Sequence, residues 1–412
     1  MTELFTVVPP SEAFRTFLRA LAPLKETETI QVRFAAGRVA AGDLPAPAAL
    51  PGFSRSTMDG YAVRSADTIG ASESAPAYLR LVGEVRMGTV PDRRLQPGEA
   101  LRIHTGAMLP PGADGVVMIE ETTLSGEEVE VLASIAPGEN VFGAEEDAAP
   151  GETVVTAGKR LRPADLGALC ALGIGTIGVV RRPRIAVLST GDEIVPPETV
   201  PQPGQIRDVN AQTISTIVEE AGGSAQAHGI VRDDESLLEA AVRRALEQAD
   251  GLVLSAGSSV SSRDLTARVV DRLGSPGILV HGVALWPGKP TILAVCGGKP
   301  VVGLPGNPMS ALVVAWRFVR PLVRFLGGER VSDDGFDDVL AEAELTHNVP
   351  SKAGREDYFP AVLRRVDGVL QATPIYAKSS SIVSLARANG MILVPLDYGG
   401  LGAGSRVKVV PL

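Results

Sequence analysis

Between residues 182 and 328 the apolar positions fall into two alternating patterns. Short apolar runs at 184–188, 251–254 and 300–304 read as buried strands, and a further strand is expected at 225–230. The stretches after them read as helices. The first, 209–221, has Asp208 as its cap and Gly222-Gly223 as its stop. The second, 234–249, carries Leu238, Val242, Ala245 and Leu246 on one face, and a third spans 264–273. After Pro308 the apolar pattern 309–325 reads as one long helix without a breaker. Strand and helix in alternation predict a parallel sheet covered on both faces. The flanks are patterned differently. Residues 53–135 read as mostly β, with runs such as 78–82 and 115–119 divided by turn clusters such as Val90-Pro91-Asp92. Residues 337–412 read as β again, through runs such as 390–394 and 406–410. Helices are expected at 11–22, opened by Ser11, and at 163–172, while the Pro- and Ala-rich stretch 45–51 reads as a linker or crossing segment.

Chemistry enters at the strand ends. In Pro305-Gly306-Asn307-Pro308, Asn307 stands where a helix cap belongs and Pro308 at the first helical position. Glycine lets backbone approach a ligand, and a helix N-terminus favours an anion. Two other strands run into Ser189-Thr190-Gly191-Asp192-Glu193 and into the serine-rich loop 255–264. Each loop alone is an ordinary turn. Three at the carboxyl edge of one parallel sheet predict a phosphate or nucleotide site. Asp192, Glu193 and Asp264 would repel a phosphate, so their presence fits Mg²⁺ lying between them.

Composition narrows the class. With 412 residues the chain exceeds one ordinary core, and 45 Gly with 31 Pro imply many turns. A hydrophobic fraction of 45% is globular, and 4% aromatics leave a core of Ala, Val, Leu and Ile. Cys170 and Cys296, both in apolar contexts, read as buried thiols. The four histidines have no zinc spacing. A net charge of −9 without a dense basic block argues against nucleic acid. The opening residues lack a signal-peptide pattern and no run reaches the length of a membrane span, so a cytoplasmic protein is expected.

Several motifs appear in a fixed order: 56–64 around Met58-Asp59-Gly60, Arg102-Ile103-His104-Thr105-Gly106-Ala107, and Pro111-Gly112-Ala113-Asp114. Leu188 to Glu193, Val231-Arg232-Asp233-Asp234, Pro287-Gly288-Lys289-Pro290 and Gly303 to Pro308 follow. In these the chain resembles the MoeA family of bacterial molybdopterin molybdenumtransferases, relatives of the gephyrin E domain. The resemblance implies an α/β and β multidomain protein. Its α/β domain, 182–328, would have the MogA-like molybdopterin-binding fold. A β-rich domain would span 50–140, a discontinuous linker domain 1–49 and 141–181, and a C-terminal β-barrel 329–412. It implies a homodimer with the active site between the α/β domain of one protomer and the β-rich domain of the other. The implied reaction takes adenylylated molybdopterin and molybdate, uses Mg²⁺, and releases AMP. The molybdopterin adenylyltransferase is then a candidate partner. Position by position, the implied functional acids are Asp59, Asp147, Glu193, Asp233 and Asp264, with Glu193, Asp233 and Asp264 as metal holders. The implied substrate contacts are Thr105, Thr190, Gly257, Ser258, Ser259, Lys289, Ser379 and the turn Pro305, Gly306, Asn307 and Pro308.

The departures from the family pattern are local. Ala256-Gly257-Ser258-Ser259-Val260-Ser261 has fewer glycines and more hydroxyls than the family's Gly-Gly-Val-Ser-Val-Gly loop. Gly282 and Trp286 stand where basic residues are common, leaving Lys289 of that cluster with His281 nearby. Trp286 then either packs or stacks on a pterin. Phe142 replaces a frequent Arg, Glu145 a frequent Gly, and Lys378-Ser379-Ser380 the usual Gly-Ser-Gly. Two other readings stand beside the insertase: a molybdopterin adenylyltransferase, and a non-catalytic molybdopterin-binding scaffold. Retention of Asp59, Glu193, Asp233 and Asp264 favours an enzyme, since a scaffold has no need for all four.

Overall fold

The computed structural model describes residues 7–256, 260–335 and 340–412, with the side chains of 260–264 outside that description. Its central unit is a six-stranded sheet in the order Ser224–Val231, Arg184–Thr190, Gly251–Ser255, Lys299–Leu304, Ile292–Cys296, Pro276–His281. The first four strands are parallel. The last two join through antiparallel pairings, with Ile292–Cys296 running against the others, and correct the all-parallel expectation. Pro276 and the glycines around this hairpin hid it from the pattern, and proline is tolerated at the start of an edge strand.

Helices cover both faces. Asn210–Glu220 and the long rod after Pro308 pack on one side, and Glu235–Gln248 with Val260–Arg272 on the other. The rod is not one α-helix. It runs Pro308–Val314 as α, turns through a π segment at Ala315–Val319, and resumes as α over Arg320–Leu326. Pro321 is the breaker that the apolar pattern concealed. It has no N–H to give, and the wider turn before it accommodates the loss.

The N-terminal helix is Pro10–Arg19, begun by proline rather than by Ser11. Its Phe14 and Phe17 are fully buried in the core of the central unit, with Phe14 6.2 Å from Phe318. The chain then leaves, and Thr27–Gln31 pairs antiparallel with Thr176–Val180. Leu44–Pro45 pairs with Thr153–Val155 in the same region. Between these segments lies a six-stranded sheet formed by residues 60–131. The C-terminal strands close on themselves: Glu356–Val366 pairs with both Val369–Pro374 and Gly390–Val394, completing a five-stranded barrel. One short strand of the central unit, Leu285–Trp286, adds to the same barrel strand. Cys296 is buried as expected, but Cys170 is exposed, because its helix turns that edge outward.

Candidate active site

The loops after three parallel strands meet at one edge of the sheet. Ser189, Thr190, Glu193, Ser255, Ala256, Gly306, Asn307 and Pro308 line one pocket of about 280 Å³. Its remaining walls are Ile194, Ile206, Arg207, Asp208, Val209 and Asn210, with Ser380 and Ile382 reaching in from the C-terminal region. Aliphatic walls around a hydroxyl- and amide-lined floor suit a flat heteroaromatic group bearing polar substituents.

Asn210 braces the floor. It is buried, and its Nδ2 donates to Ser255 Oγ at 2.8 Å and to the Gly306 carbonyl at 2.9 Å. One amide thus ties two loops together. The helix cap there is Val209, while Asp208 Oδ1 accepts the Ala211 N–H from one position further out. The hydroxyls of Ser189 and Thr190 are each on residues only 2% exposed, and neither finds a hydrogen-bond partner among the described residues. A buried unpaired hydroxyl costs about 1–3 kcal/mol, which a ligand atom offsets on binding.

Gly191 shapes the next turn. Its φ is +147°, and a Cβ there would lie 2.7 Å from Glu193 Oε2, so only glycine allows the carboxylate to fold back beside the strand end. Asp233 is half-buried two residues beyond Val231, which pairs in register with Thr190. Glu193 and Asp233 therefore leave neighbouring strands at the same edge. Asp234, its neighbour, caps the following helix through Leu237 N–H at 2.9 Å. The side chain of Asp264 lies outside the described residues, as do Gly257, Ser258 and Ser259.

The turn after Leu304 is less open to anions than its sequence implies. Asn307 holds the cap position without a side-chain cap bond. Pro308 has no N–H, and the Met309 N–H donates to the Ser379 carbonyl at 3.0 Å. Ser379 thus acts through its backbone. Lys289 is exposed and does not line the pocket, so Arg207 is the basic side chain on the described wall. Trp286 is a packing residue: its ring lies 5.3 Å from Phe359 and carries the Arg355 guanidinium at 5.3 Å.

Asp59 and Thr105 form a second constellation, in the β-rich region and outside this pocket. Asp59 Oδ1 accepts the Thr105 N–H at 2.7 Å and its hydroxyl at 3.0 Å, and the backbone bond holds the Asp59 carboxyl below its usual range. His104 stands between Glu84, 2.7 Å from Nε2, and Asp59, 3.8 Å from Nδ1. Asp147 is exposed on the loop following Val141–Phe142, where Glu145 takes a φ of +67° that glycine would adopt freely. Phe142 faces Arg55, whose guanidinium covers its ring at 5.1 Å.

A strand-end pocket in an α/β unit, joined to a β-rich region and a closed barrel, defines a multidomain protein whose α/β unit offers a ligand pocket at its carboxyl edge. Residues 8–173 match the MoeA N-terminal region (domain I and II), 186–324 a probable molybdopterin binding domain, and 342–412 the MoeA C-terminal region (domain IV). The chain is 34% identical to the molybdopterin molybdenumtransferase of Nostoc sp. over 94% of its own length and 89% of that protein. To the Bacillus subtilis molybdopterin molybdenumtransferase it is 32% identical, over 100% and 95%. A crystal structure of a molybdopterin biosynthesis MoeA protein from Pyrococcus horikoshii superposes with a TM-score of 0.76 at 36% identity, covering 98% of this chain and 99% of that one. The chain belongs to the MoeA family of molybdopterin molybdenumtransferases.

Ser189 and Ser255 lie in loops expected at the site, whereas Asn210, Asp208, Ile206, Ser380 and Ile382 were not anticipated as pocket residues. Asn210 carried one signal, a polar residue at the start of a helix whose neighbours are apolar. Ser380 stood in the Lys378-Ser379-Ser380 motif beside the expected contact Ser379, while Ile382 carried no signal, because a contact between chain segments this far apart leaves no periodic trace.

Proposed function

We propose that this protein inserts molybdenum into molybdopterin, taking adenylylated molybdopterin and molybdate and releasing AMP. The observation that carries the reading is the pair of buried, unpartnered hydroxyls on Ser189 and Thr190 at the floor of the pocket. A ligand with several hydrogen-bonding atoms satisfies them, while Ile194, Ile206 and Ile382 cover its flat faces. Arg207 supplies positive charge at the rim. The adenylyltransferase alternative is less apt, since the full domain set of the family is present.

Mg²⁺ fits the donor set in part. Among the described residues no three His, Cys, Asp or Glu side chains are grouped to hold a metal. Mg²⁺ is commonly held by one or two carboxylates, with substrate phosphates and water completing its shell. Glu193 and Asp233, from adjacent strand ends, would hold it with Asp264. When bound it would offset pyrophosphate charge as the phosphate bond breaks. Asp59, with Thr105, would act from the β-rich region of a partner protomer, in a homodimer whose sites are shared. The partition into a linker (1–49 and 141–181), a β-rich domain (50–140), an α/β domain (182–328) and a barrel (329–412) belongs to this reading, as do a cytoplasmic setting and delivery of substrate by the adenylyltransferase. Among the described residues no helix is long and apolar enough to cross a membrane.

The test is AMP release from adenylylated molybdopterin with molybdate, measured for the wild type, Asn210→Ala and Glu193→Ala. Asn210→Ala should bind AMP about tenfold more weakly, because Ser255 and Gly306 lose their common donor. Pyrophosphate release from ATP and molybdopterin, without AMP release from the adenylylated form, would assign the adenylyltransferase reaction instead.

A further inference from the structure

We propose that the buried Arg317–Glu356 pair is a positioning device that seats the barrel on the helical rod, so that the 378–382 loop closes the substrate pocket. Arg317 lies in the π turn of the rod, with a side chain 0% exposed. Its Nε is 3.8 Å from Glu356 Oε2, on the long barrel strand, and its Nη1 donates to the Asp334 carbonyl at 2.6 Å. Tyr358, fully buried, donates to Glu356 at 3.2 Å, and Trp316 packs 6.2 Å from Tyr358. Gly335 is required beside them: at a φ of +74°, a Cβ would lie 2.9 Å from both Arg317 Nη1 and Phe14.

The contacts form a closed ring. The rod begins at the pocket with Pro308 and reaches Glu356 through Arg317. Along the same barrel strand, the Pro360 carbonyl accepts the Ile375 N–H at 2.7 Å and anchors the start of the loop. The loop returns to the rod where the Ser379 carbonyl accepts the Met309 N–H, and Ser380 and Ile382 then enter the pocket wall. Stability alone explains this pair poorly, because two buried charges often stabilise no more than apolar side chains of the same volume. Burial holds the Glu356 carboxyl above its usual range, so its charge costs free energy where it sits. What a charged pair adds over an apolar contact is register: only one placement of the barrel brings the carboxylate to the guanidinium.

Closure of the pocket rests on the reading that it holds the adenylate, and two readouts separate the claims. Amide exchange at Met309 and Ile375 in the ligand-free protein reports loop seating alone. AMP titration and steady-state kinetics report the pocket. In Glu356→Gln, exchange at both amides should rise, and AMP affinity should fall about fivefold, with KM raised and kcat little changed. Arg317→Lys, which keeps the charge, should retain most of the protection, and Arg317→Gln, which should lose it, serves if the first variant folds poorly. Asp250→Asn is the control. It breaks the Arg181 bridge (2.9 Å) elsewhere in the molecule, and should leave both readouts as in wild type. Unchanged exchange in Glu356→Gln, or an equal loss in Asp250→Asn, overturns the proposal. Raised exchange with unaltered AMP affinity upholds the loop seating and removes the adenylate from the pocket.

Discussion

Asp59 and Glu356 are carboxylates in opposite settings, and pH should act on them with opposite sign. Asp59 is exposed and its carboxyl is lowered, first by the Thr105 N–H. Its contribution to stability is therefore present above the unfolded value and lost as pH falls through the folded one. Asp59→Asn should lower the melting temperature slightly near neutral pH, where the carboxylate's contribution is complete, and lose AMP release, as checked by calorimetry beside the turnover assay. An active Asn variant would reduce Asp59 to a turn residue that anchors the Thr105 loop. Glu356 is raised by burial, with Arg317 opposing. Its favourable contribution is complete below the unfolded value, near 4.5, and is lost as pH rises through the folded value. The stability of wild type relative to Glu356→Gln should thus decline as pH rises above that range. Urea midpoints for both proteins across the acid-to-neutral range measure it, and a rising difference would place the carboxylate in a better-solvated site.

At the scale of elements, Trp286 shows how a change of residue type moves a position from charge to packing. Its strand joins the central unit to the barrel, and its ring is held between Phe359 and Arg355. Trp286→Lys should lower stability by about 3 kcal/mol, the low end for losing a large packed aromatic, and should not improve use of molybdate. The melting curve and the molybdate dependence of turnover decide this together. Tighter molybdate use with an intact fold would return Trp286 to the oxyanion site. The strand-helix alternation from 184 to 255 was legible, because its helices run through several turns of their apolar period and its strands end in turn residues. Ile292–Cys296 and Pro276–His281 were not, since short apolar runs among Gly and Pro lack a period to read. The π turn was hidden for a related reason: apolar residues surround the rod, so a change of helix type leaves the hydrophobic pattern unaltered.

For the whole molecule, the separation of Asp59 from Glu193 is the central fact. Glu193 lines the pocket and Asp59 does not, although the proposed reaction uses both. Mixed dimers of Asp59→Ala and Glu193→Ala protomers should recover part of the activity that each homodimer lacks. A fully active monomer in ultracentrifugation would contradict the shared site. The sequence by itself determined the α/β unit, the three strand-end loops and the family, because these depend on local periodicity, turn chemistry and contiguous motifs. It also placed Thr190, Glu193, Gly306, Asn307 and Pro308 at a common sheet edge, since parallel topology leaves their loops no other. Only tertiary structure decided that Asn210 braces those loops, that Ser380 and Ile382 complete the wall, and that Trp286 packs while Lys289 faces solvent. Each of these depends on contacts between segments distant in the chain. Such contacts are selected by packing and burial in three dimensions, and neither leaves a period along one.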